Sequence, residues 1–218
     1  MNILSSPEAV EASLKEFNEG LALDPSAEFP ERVNTRLAVV DSIARGNASK
    51  IDRTQLKPVN LFLKQVGSGK TRTSRFIWLQ RAADAFAKEI GKHAACHQGC
   101  THCCYTPVTL SEAEAVFIGK SISVSPVASA ERIKRTASYT DPCPFLKDNA
   151  CSIYEHRPTV CRTHFNLDSD SLLCELVDGA AIPVPYMDAR VFTAHTLKIS
   201  GGTDTKLADI REWFPHGL

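Results

Sequence analysis

Residues 96–107 read Cys96-His-Gln-Gly-Cys100-Thr-His-Cys103-Cys104-Tyr-Thr-Pro107. Four thiols within nine residues, broken by Gly99, make a tight loop that can turn several sulfurs to one side. Thiolates are soft, charged donors that chelate zinc or iron strongly, and close spacing lowers the entropy lost in assembling them. A second group follows: Cys143 in Asp141-Pro-Cys-Pro-Phe-Leu146, then Cys151 and Cys161 in Cys151-Ser-Ile-Tyr-Glu-His-Arg157-Pro-Thr-Val-Cys161-Arg162. Cys174 comes last, and all eight cysteines lie between positions 96 and 174. A chain of 218 residues buries an adequate core without staples, so the thiols call for a chemical role.

Disulfide bonding, core packing and dithiol redox chemistry fit the pattern less well than metal binding. Structural disulfides belong to secreted chains, and the sequence shows no signal-peptide profile, so a cytoplasmic setting with reduced thiols is expected. Isolated buried cysteines do not cluster four in nine residues, and a redox dithiol needs only a pair. Within the set, Cys174 in Leu172-Leu-Cys-Glu-Leu176 has the surroundings of a core residue. Cys103 and Cys104, being adjacent, do not easily face one tetrahedral ion together, which leaves one of them as a bridging, second-site or reactive thiol.

Outward toward the N-terminus the chain reads as helices. Ser6-Pro7-Glu8 is a helix start, followed by the stripe Val10, Leu14, Phe17, Leu21, with Gly20 and Asp24-Pro25 closing it. A second helix is expected from about Phe29-Pro30-Glu31, with Val33, Leu37, Val40 and Ala44 on one face, stopping at Gly46-Asn47. Residues 59–66 are apolar and fit either helix or strand. Phe76, Leu79, Ala83, Phe86 and Ile90 mark a helix over 74–90. Gly67-Ser-Gly-Lys-Thr71 suggests a phosphate loop, but Lys64 stands where the motif needs glycine, no buried strand precedes it, and no helix is expected to start at Thr71.

Between the cysteine groups an all-helical insert is expected. Ser111 and Glu114 fit a capping box, and Ser125-Pro126 opens a further helix through Val127, Ala130, Ile133 and Ala137, so a helical hairpin would fold back across the site. Pro158 is placed to start a helix that orients Cys161. Residues 180–186 read as extended or loop, 188–197 are ambiguous, and Leu207, Ile210 and Trp213 suggest a closing helix. The fold class is therefore mainly α: a helical scaffold over 1–91, a cysteine-rich metal-binding segment with irregular loops over 92–178, and a closing segment over 179–218.

Composition bounds the partners. Twenty-five basic residues balance twenty-five acidic ones, which argues against a nucleic-acid binder in bulk, and no stretch approaches the length of a membrane span. Locally the charge is uneven. Residues 50–81 carry eight cations against the single acid Asp52, and residues 167–188 carry five acids without Lys or Arg. The simplest reading is a solvated helix face paired with the acidic segment.

These residues carry a resemblance. The pattern Cys-x3-Cys-x2-Cys-Cys, Cys-Pro-Phe-Leu, and Cys-x-Ile-Tyr-Glu-x-Arg-Pro-x-x-Cys-Arg resembles the CxxCxxCC (YkgJ-type) zinc- or iron-chelating cysteine-cluster family, over about residues 92–175. Members are described as small cytoplasmic bacterial proteins, often labelled iron–sulfur oxidoreductases, and a similar domain occurs in flagellin lysine methylases. The resemblance implies a ligand set of Cys96, Cys100, Cys103, Cys104, Cys143, Cys151 and Cys161, with Cys174 as its eighth member.

The metal is an iron–sulfur cluster or zinc, with iron–sulfur favoured in part because the family carries that label. Zinc would close one or two four-thiolate sites, whereas a cluster would leave other thiols for redox or substrate chemistry. The Cys96–Cys100–Cys103 spacing equals that of radical S-adenosylmethionine enzymes, but a helix precedes it and too few residues follow for a partial barrel. His97 and His102 are candidate ligands or hydrogen-bond partners. Arg157 and Arg162 are candidates to offset thiolate charge or hold an anionic cofactor or substrate; the alternative is a salt bridge to Glu155 or to an acid of 168–178. Tyr154 reads as packing. The expected function is redox or group transfer at an iron–sulfur centre, protein modification included; the alternatives are a zinc-stabilised interaction module and a metal carrier. No partner or substrate follows from these residues, a protein being one candidate.

Overall fold

The computed structural model describes residues 28–218 apart from 129, 132, 134, 178–181 and 203–204. The helix expected from Ser6, and part of the extended stretch expected over 180–186, lie outside the described residues.

The protein is mainly α, with a helical N-terminal half. Helices α1 (Glu31–Leu37), α2 (Val40–Ser49), α3 (Lys57–Ser68) and α4 (Arg72–Ile90) precede the cysteines. Strand β1 (Thr109–Ser111) leads into α5 (Glu112–Ile122), then come β2 (Leu146–Lys147), β3 (Ala150–Cys151), α6 (Thr159–Thr163), α7 (Arg190–Ser200), β4 (Leu207–Asp209) and α8 (Ile210–Trp213).

In place of the single helix expected over 30–46 there are two. Val39, at φ −121° and ψ −9°, leaves the helical region and breaks the stripe. The break lets Val33 and Val40 pack with Leu173 while Ala44 packs in a different cluster with α4. The second of these helices runs on through Gly46-Asn47 to Ser49, because the Asn47 amide donates to the Leu167 carbonyl at 2.9 Å and anchors that turn. The ambiguous 59–66 stretch is helical, with Val59 and Val66 buried two turns apart.

A helix does begin directly after Thr71, contrary to expectation. Thr71 Oγ1 accepts the Ser74 amide at 3.1 Å and Ser74 Oγ accepts the Thr71 amide at 3.2 Å, a reciprocal cap that the sequence pattern alone did not reveal. A helix rather than a strand precedes it, with Gly67 and Ser68 in the last turn of α3, so the phosphate-loop reading still lacks its scaffold.

The helical hairpin expected between the cysteine groups is half present. Helix α5 forms, but among the described residues 124–138 are not helical. Tertiary bonds override the local pattern: the Val127 amide donates to the Trp213 carbonyl at 2.9 Å, the Ser138 amide to Tyr105 at 3.1 Å, and Arg135 pairs with Asp141 and Glu212. The capping box is also half formed. Ser111 Oγ accepts the Glu114 amide at 3.2 Å, but the Glu114 carboxylate turns away to the Thr159 amide, 2.8 Å distant. At the C-terminus the expected closing helix is a strand and a single helical turn. Leu207 lies in β4, which pairs antiparallel with β1, Leu110 opposite Ala208. The ambiguous 188–197 stretch belongs largely to α7.

Two larger apolar clusters hold the fold. One packs Phe76, Leu79, Ala83, Phe86 and Ile90 of α4 against Val59, Val66, Leu167, Phe192 and Ile199. The other gathers Leu110, Ile118, Phe145, Ile153, Ile210, Trp213 and Phe214, with Cys143, Cys151 and Cys161 on its margin. The cysteine loops therefore sit between a helical layer and the C-terminal strand and turn.

Candidate metal centre

Four stretches of chain bring in the first seven thiols. After α4, the Ala95 amide donates to the Asn166 carbonyl at 2.8 Å, fixing where Cys96 starts. Gly99, at φ +87°, takes the left-handed turn that an L side chain rarely adopts, and a 3₁₀ turn over His102–Tyr105 carries Cys103 and Cys104. The Cys143 amide donates to the Cys104 carbonyl at 2.7 Å, joining the second group to the first. The β2–β3 hairpin turns through Asp148 and Asn149, both at positive φ, and sets Leu146 opposite Cys151. Helix α6, which follows Pro158 as expected, carries Cys161.

All eight cysteines are free thiols. Their mutual electrostatics sort them. Cys174 feels the charge of Cys96, Cys100 and Cys103, and Cys96 that of Cys103 and Cys100. Cys161 feels Cys103, Cys143 and Cys151, and Cys104 feels Cys103, Cys143 and Cys161. Cys96, Cys100 and Cys174 thus form one group and Cys104, Cys143, Cys151 and Cys161 another, while Cys103 acts on members of both, Cys151 and Cys161 included. Cys103 is their junction. Cys174, with core surroundings in the sequence, keeps company with the first set, and the buried Asn166 shows how: its amide N–H faces Cys96 Sγ at 3.5 Å and its side chain donates to Cys174 Sγ at 3.3 Å.

Protonation follows from burial and repulsion. Burial is the first cause raising Cys143 to about 11 and Cys174 to about 12, and it pushes Cys96, Cys100, Cys151 and Cys161 up as well. Cys103 is the exception. It is exposed, and a hydrogen bond from the Cys104 thiol lowers it to about 7 while raising Cys104.

The two arginines part company. Arg157 stacks 4.0 Å over the exposed Tyr154 ring, and its charge acts on Cys96, Cys103, Cys151 and Cys161, members of both sets. Its Nε is buried with no hydrogen-bond partner among the described residues. Arg162 is buried and takes neither expected carboxylate. It pairs with Asp84 at 2.5 Å and donates to the carbonyls of Arg157 and Glu155. The acids of the 168–178 run bond Arg36 and Arg32 instead.

Among the histidines, His97 is exposed and its Nδ1 lies 2.9 Å from the Gln98 carbonyl, while His102 Nδ1 lies 3.0 Å from the Tyr139 hydroxyl. Sequence reasoning passed over His164, whose ring lies 3.9 Å from that of Tyr186 and whose pKa burial lowers to about 4. It also passed over Arg211, a buried guanidinium that donates to the carbonyls of Cys104 (3.1 Å) and Asp141 (2.8 Å) and pairs with Asp209 at 3.0 Å. The signal for Arg211 was a lone arginine in a largely apolar 207–214 run.

Among the described residues, no three His, Cys, Asp or Glu side chains are already drawn into an ion-holding arrangement. The donor chemistry nevertheless fits a thiophilic metal: eight free thiols with few cations near them, most made reluctant to ionise by burial and by one another. A metal ion removes both obstacles at once. Residues 95–176 match the CxxCxxCC family, described as "Putative zinc- or iron-chelating domain". The CxxCxxCC domain spans the whole cysteine set and leaves the helices before it, and the β4–α8 segment after it, unmatched. Neither the curated proteins nor the solved structures contain a match to this chain.

Proposed function

We propose that the CxxCxxCC domain holds a thiolate-ligated metal centre, an iron–sulfur cluster in the favoured reading, with a redox or group-transfer role in a reducing cytoplasmic setting. The observation that carries it is the convergence of eight free thiols, with the charge of Cys103 acting on Cys96, Cys100, Cys104, Cys151, Cys161 and Cys174. Such a cluster supplies electron transfer or a Lewis-acidic iron. Around it the chain's own residues have defined tasks. Asn166 orients Cys96 and Cys174. Arg211 holds the Cys104 turn against the Asp141 backbone. Arg157 lends positive charge to thiols of both sets, and its buried Nε keeps a donor free for an anionic cofactor or substrate group. Arg162, held by Asp84, fixes the turn that carries Arg157.

A second reading rests on the same thiols. Eight thiolates suffice for two closed tetrahedral zinc sites, which would make the domain a structural or interaction module without catalysis. Exposed, readily ionised Cys103 would in turn suit a metal carrier. Metal and acid-labile sulfide analysis with a visible spectrum, on protein purified without oxygen or chelator, tests the proposal. Iron with sulfide and broad visible absorption is the expected result. One or two zinc ions and no colour would replace it with the structural module, and rapid loss to a mild chelator with the carrier.

A further inference from the structure

Helix α2, the 3₁₀ turn Gly91–His93 and the bend at Asp168 and Ser169 enclose a cavity of about 620 Å³, lined by none of the eight thiols. Its volume is that of a small-molecule site, typically about 300–1,000 Å³. Gly46 lines it from the interior of α2. Glycine there costs a helix about 1 kcal/mol against alanine, and neither close packing nor a left-handed backbone requires it. A Cβ at Gly46 would meet nothing within 4 Å, and its φ is not positive. What the glycine leaves at this position is room.

One wall of the cavity carries a carboxylate with an unused oxygen. The Asp168 side chain is completely buried. Its Oδ1 accepts Arg36 Nη1 at 2.9 Å and the Ser169 amide at 2.7 Å, whereas its Oδ2 is buried with no hydrogen-bond partner among the described residues. An acceptor left so is unfavourable by about 1–3 kcal/mol, more for a charged group, so the site calls for a donor. Arg36 is shared with Asp170, which leaves two acids against one base and favours a donor that is a cation.

The facing wall carries an ammonium without a carboxylate. Lys50 Nζ donates to Asn47 Oδ1 at 3.0 Å and forms no ion pair among the described residues. Glu89 does not answer it, because its oxygens already take Lys92, His93 and the Asp52 amide. Asn47 joins the two walls: its Nδ2 donates to the Asp168 carbonyl at 3.4 Å while its Oδ1 accepts from Lys50. An anion alone would face Asp168, and an amine alone would leave Lys50 unanswered. A zwitterion answers both. We infer that the cavity binds a free α-amino acid, its ammonium on Asp168 Oδ2, its carboxylate on Lys50, and a short aliphatic side chain in the space between Ile43 and Gly46. The site is independent of the metal reading.

Calorimetry on the full chain as purified, with glycine, alanine, serine, valine and leucine as probes, tests this. At least one is expected to bind saturably, one per chain, with Kd below about 1 mM. Its decarboxylated amine and its N-acetyl derivative should each bind about tenfold more weakly or worse, since each leaves one buried or cationic group unpaired. Lys50→Gln should weaken binding several-fold. Gly46→Leu, which fills the cavity from a helical position with space for the side chain, should abolish it. Circular dichroism and metal content equal to wild type show that the two variants keep the fold. No saturable binding up to about 10 mM would mean that water satisfies Asp168, and would overturn the inference. Equal binding of the amine or the N-acetyl derivative, or affinity unchanged in Gly46→Leu, would overturn it as well. So would saturable binding of inorganic phosphate that the amino acids do not displace, which would assign the cavity to an anion.

Discussion

The side-chain amide of Asn166 donates to the sulfur of Cys174 at 3.3 Å, across eight residues of chain. The same asparagine bonds Cys96 through its backbone and accepts the Asp168 amide at 2.8 Å with its side-chain oxygen. It is completely buried, so each of these groups has left water and needs its partner. This one residue draws the last cysteine of the sequence to the first.

Asn166→Ala should therefore cost about 1–3 kcal/mol, the range for leaving a buried partner unsatisfied, and lower metal retention at the set holding Cys96 and Cys174. Asn166→Asp keeps the shape but puts a carboxylate beside thiolates, and should lose more metal than the alanine variant. Denaturant midpoints and metal-to-protein ratios check both. Equal retention in wild type and Asn166→Asp would separate Cys174 from the centre.

Cys103 should be the first thiol alkylated in the metal-free protein at pH 7, since it is exposed and held at about 7 by the Cys104 thiol. Cys104→Ala removes that donor, returns Cys103 toward its ordinary value and should slow the reaction about tenfold or more, because the thiolate is the nucleophile. Cys104→Ser keeps a donor and should slow it less. Peptide-resolved iodoacetamide kinetics read the order directly.

The scaffold was legible before the chemistry was. Phe76, Leu79, Ala83, Phe86 and Ile90 face the core as their spacing implied, because an amphipathic stripe is local information. The 125–137 stretch was not legible: its pattern fits a helix, yet its described residues are irregular, with bonds to the distant Trp213 and Tyr105 at Val127 and Ser138. The cysteines could be named as donors from their spacing, but not sorted into sets, because what ties Cys174 to Cys96 is the buried Asn166, a contact no local pattern encodes. Arg162 illustrates the same limit, since its partner Asp84 lies in a helix 78 residues away.

Glu114 links α5 to the helix that carries Cys161, accepting the Thr159 amide at 2.8 Å from a fully buried position. Burial raises its pKa above the usual 4.5. The folded protein then holds this proton more tightly than the unfolded chain, so the stabilisation is present below pH 4.5 and is lost as pH rises through the folded value. Glu114→Gln retains an acceptor and removes the charge. It should abolish this part of the pH dependence, so that wild type falls relative to the variant above pH 4.5. Glu114→Ala, lacking the acceptor, should lose about 1–3 kcal/mol at every pH. Urea midpoints of the three proteins between about pH 4 and 8 decide it, and parallel curves for wild type and Glu114→Gln would refute the buried carboxylate as the cause.

Metal loading should release protons. Cys143 at about 11 and Cys174 at about 12 are protonated at neutral pH, as are the other thiols that burial pushes up, whereas Cys103 is already half ionised near 7. A metal binds the thiolate and must displace each such proton. Apparent affinity for zinc, used as a spectroscopically silent probe, should rise with pH by about tenfold per unit for every proton displaced per ion. Titration in weakly buffered solution should show several protons leaving per zinc between about pH 6 and 8. Arg157→Gln removes the cation that favours ionisation of Cys96, Cys103, Cys151 and Cys161. It should shift the affinity curve to higher pH without changing the number of ions bound. A pH-independent affinity would mean the thiols do not bind the metal, and a reduced ion count in Arg157→Gln would mean the arginine holds the site together rather than tuning its charge.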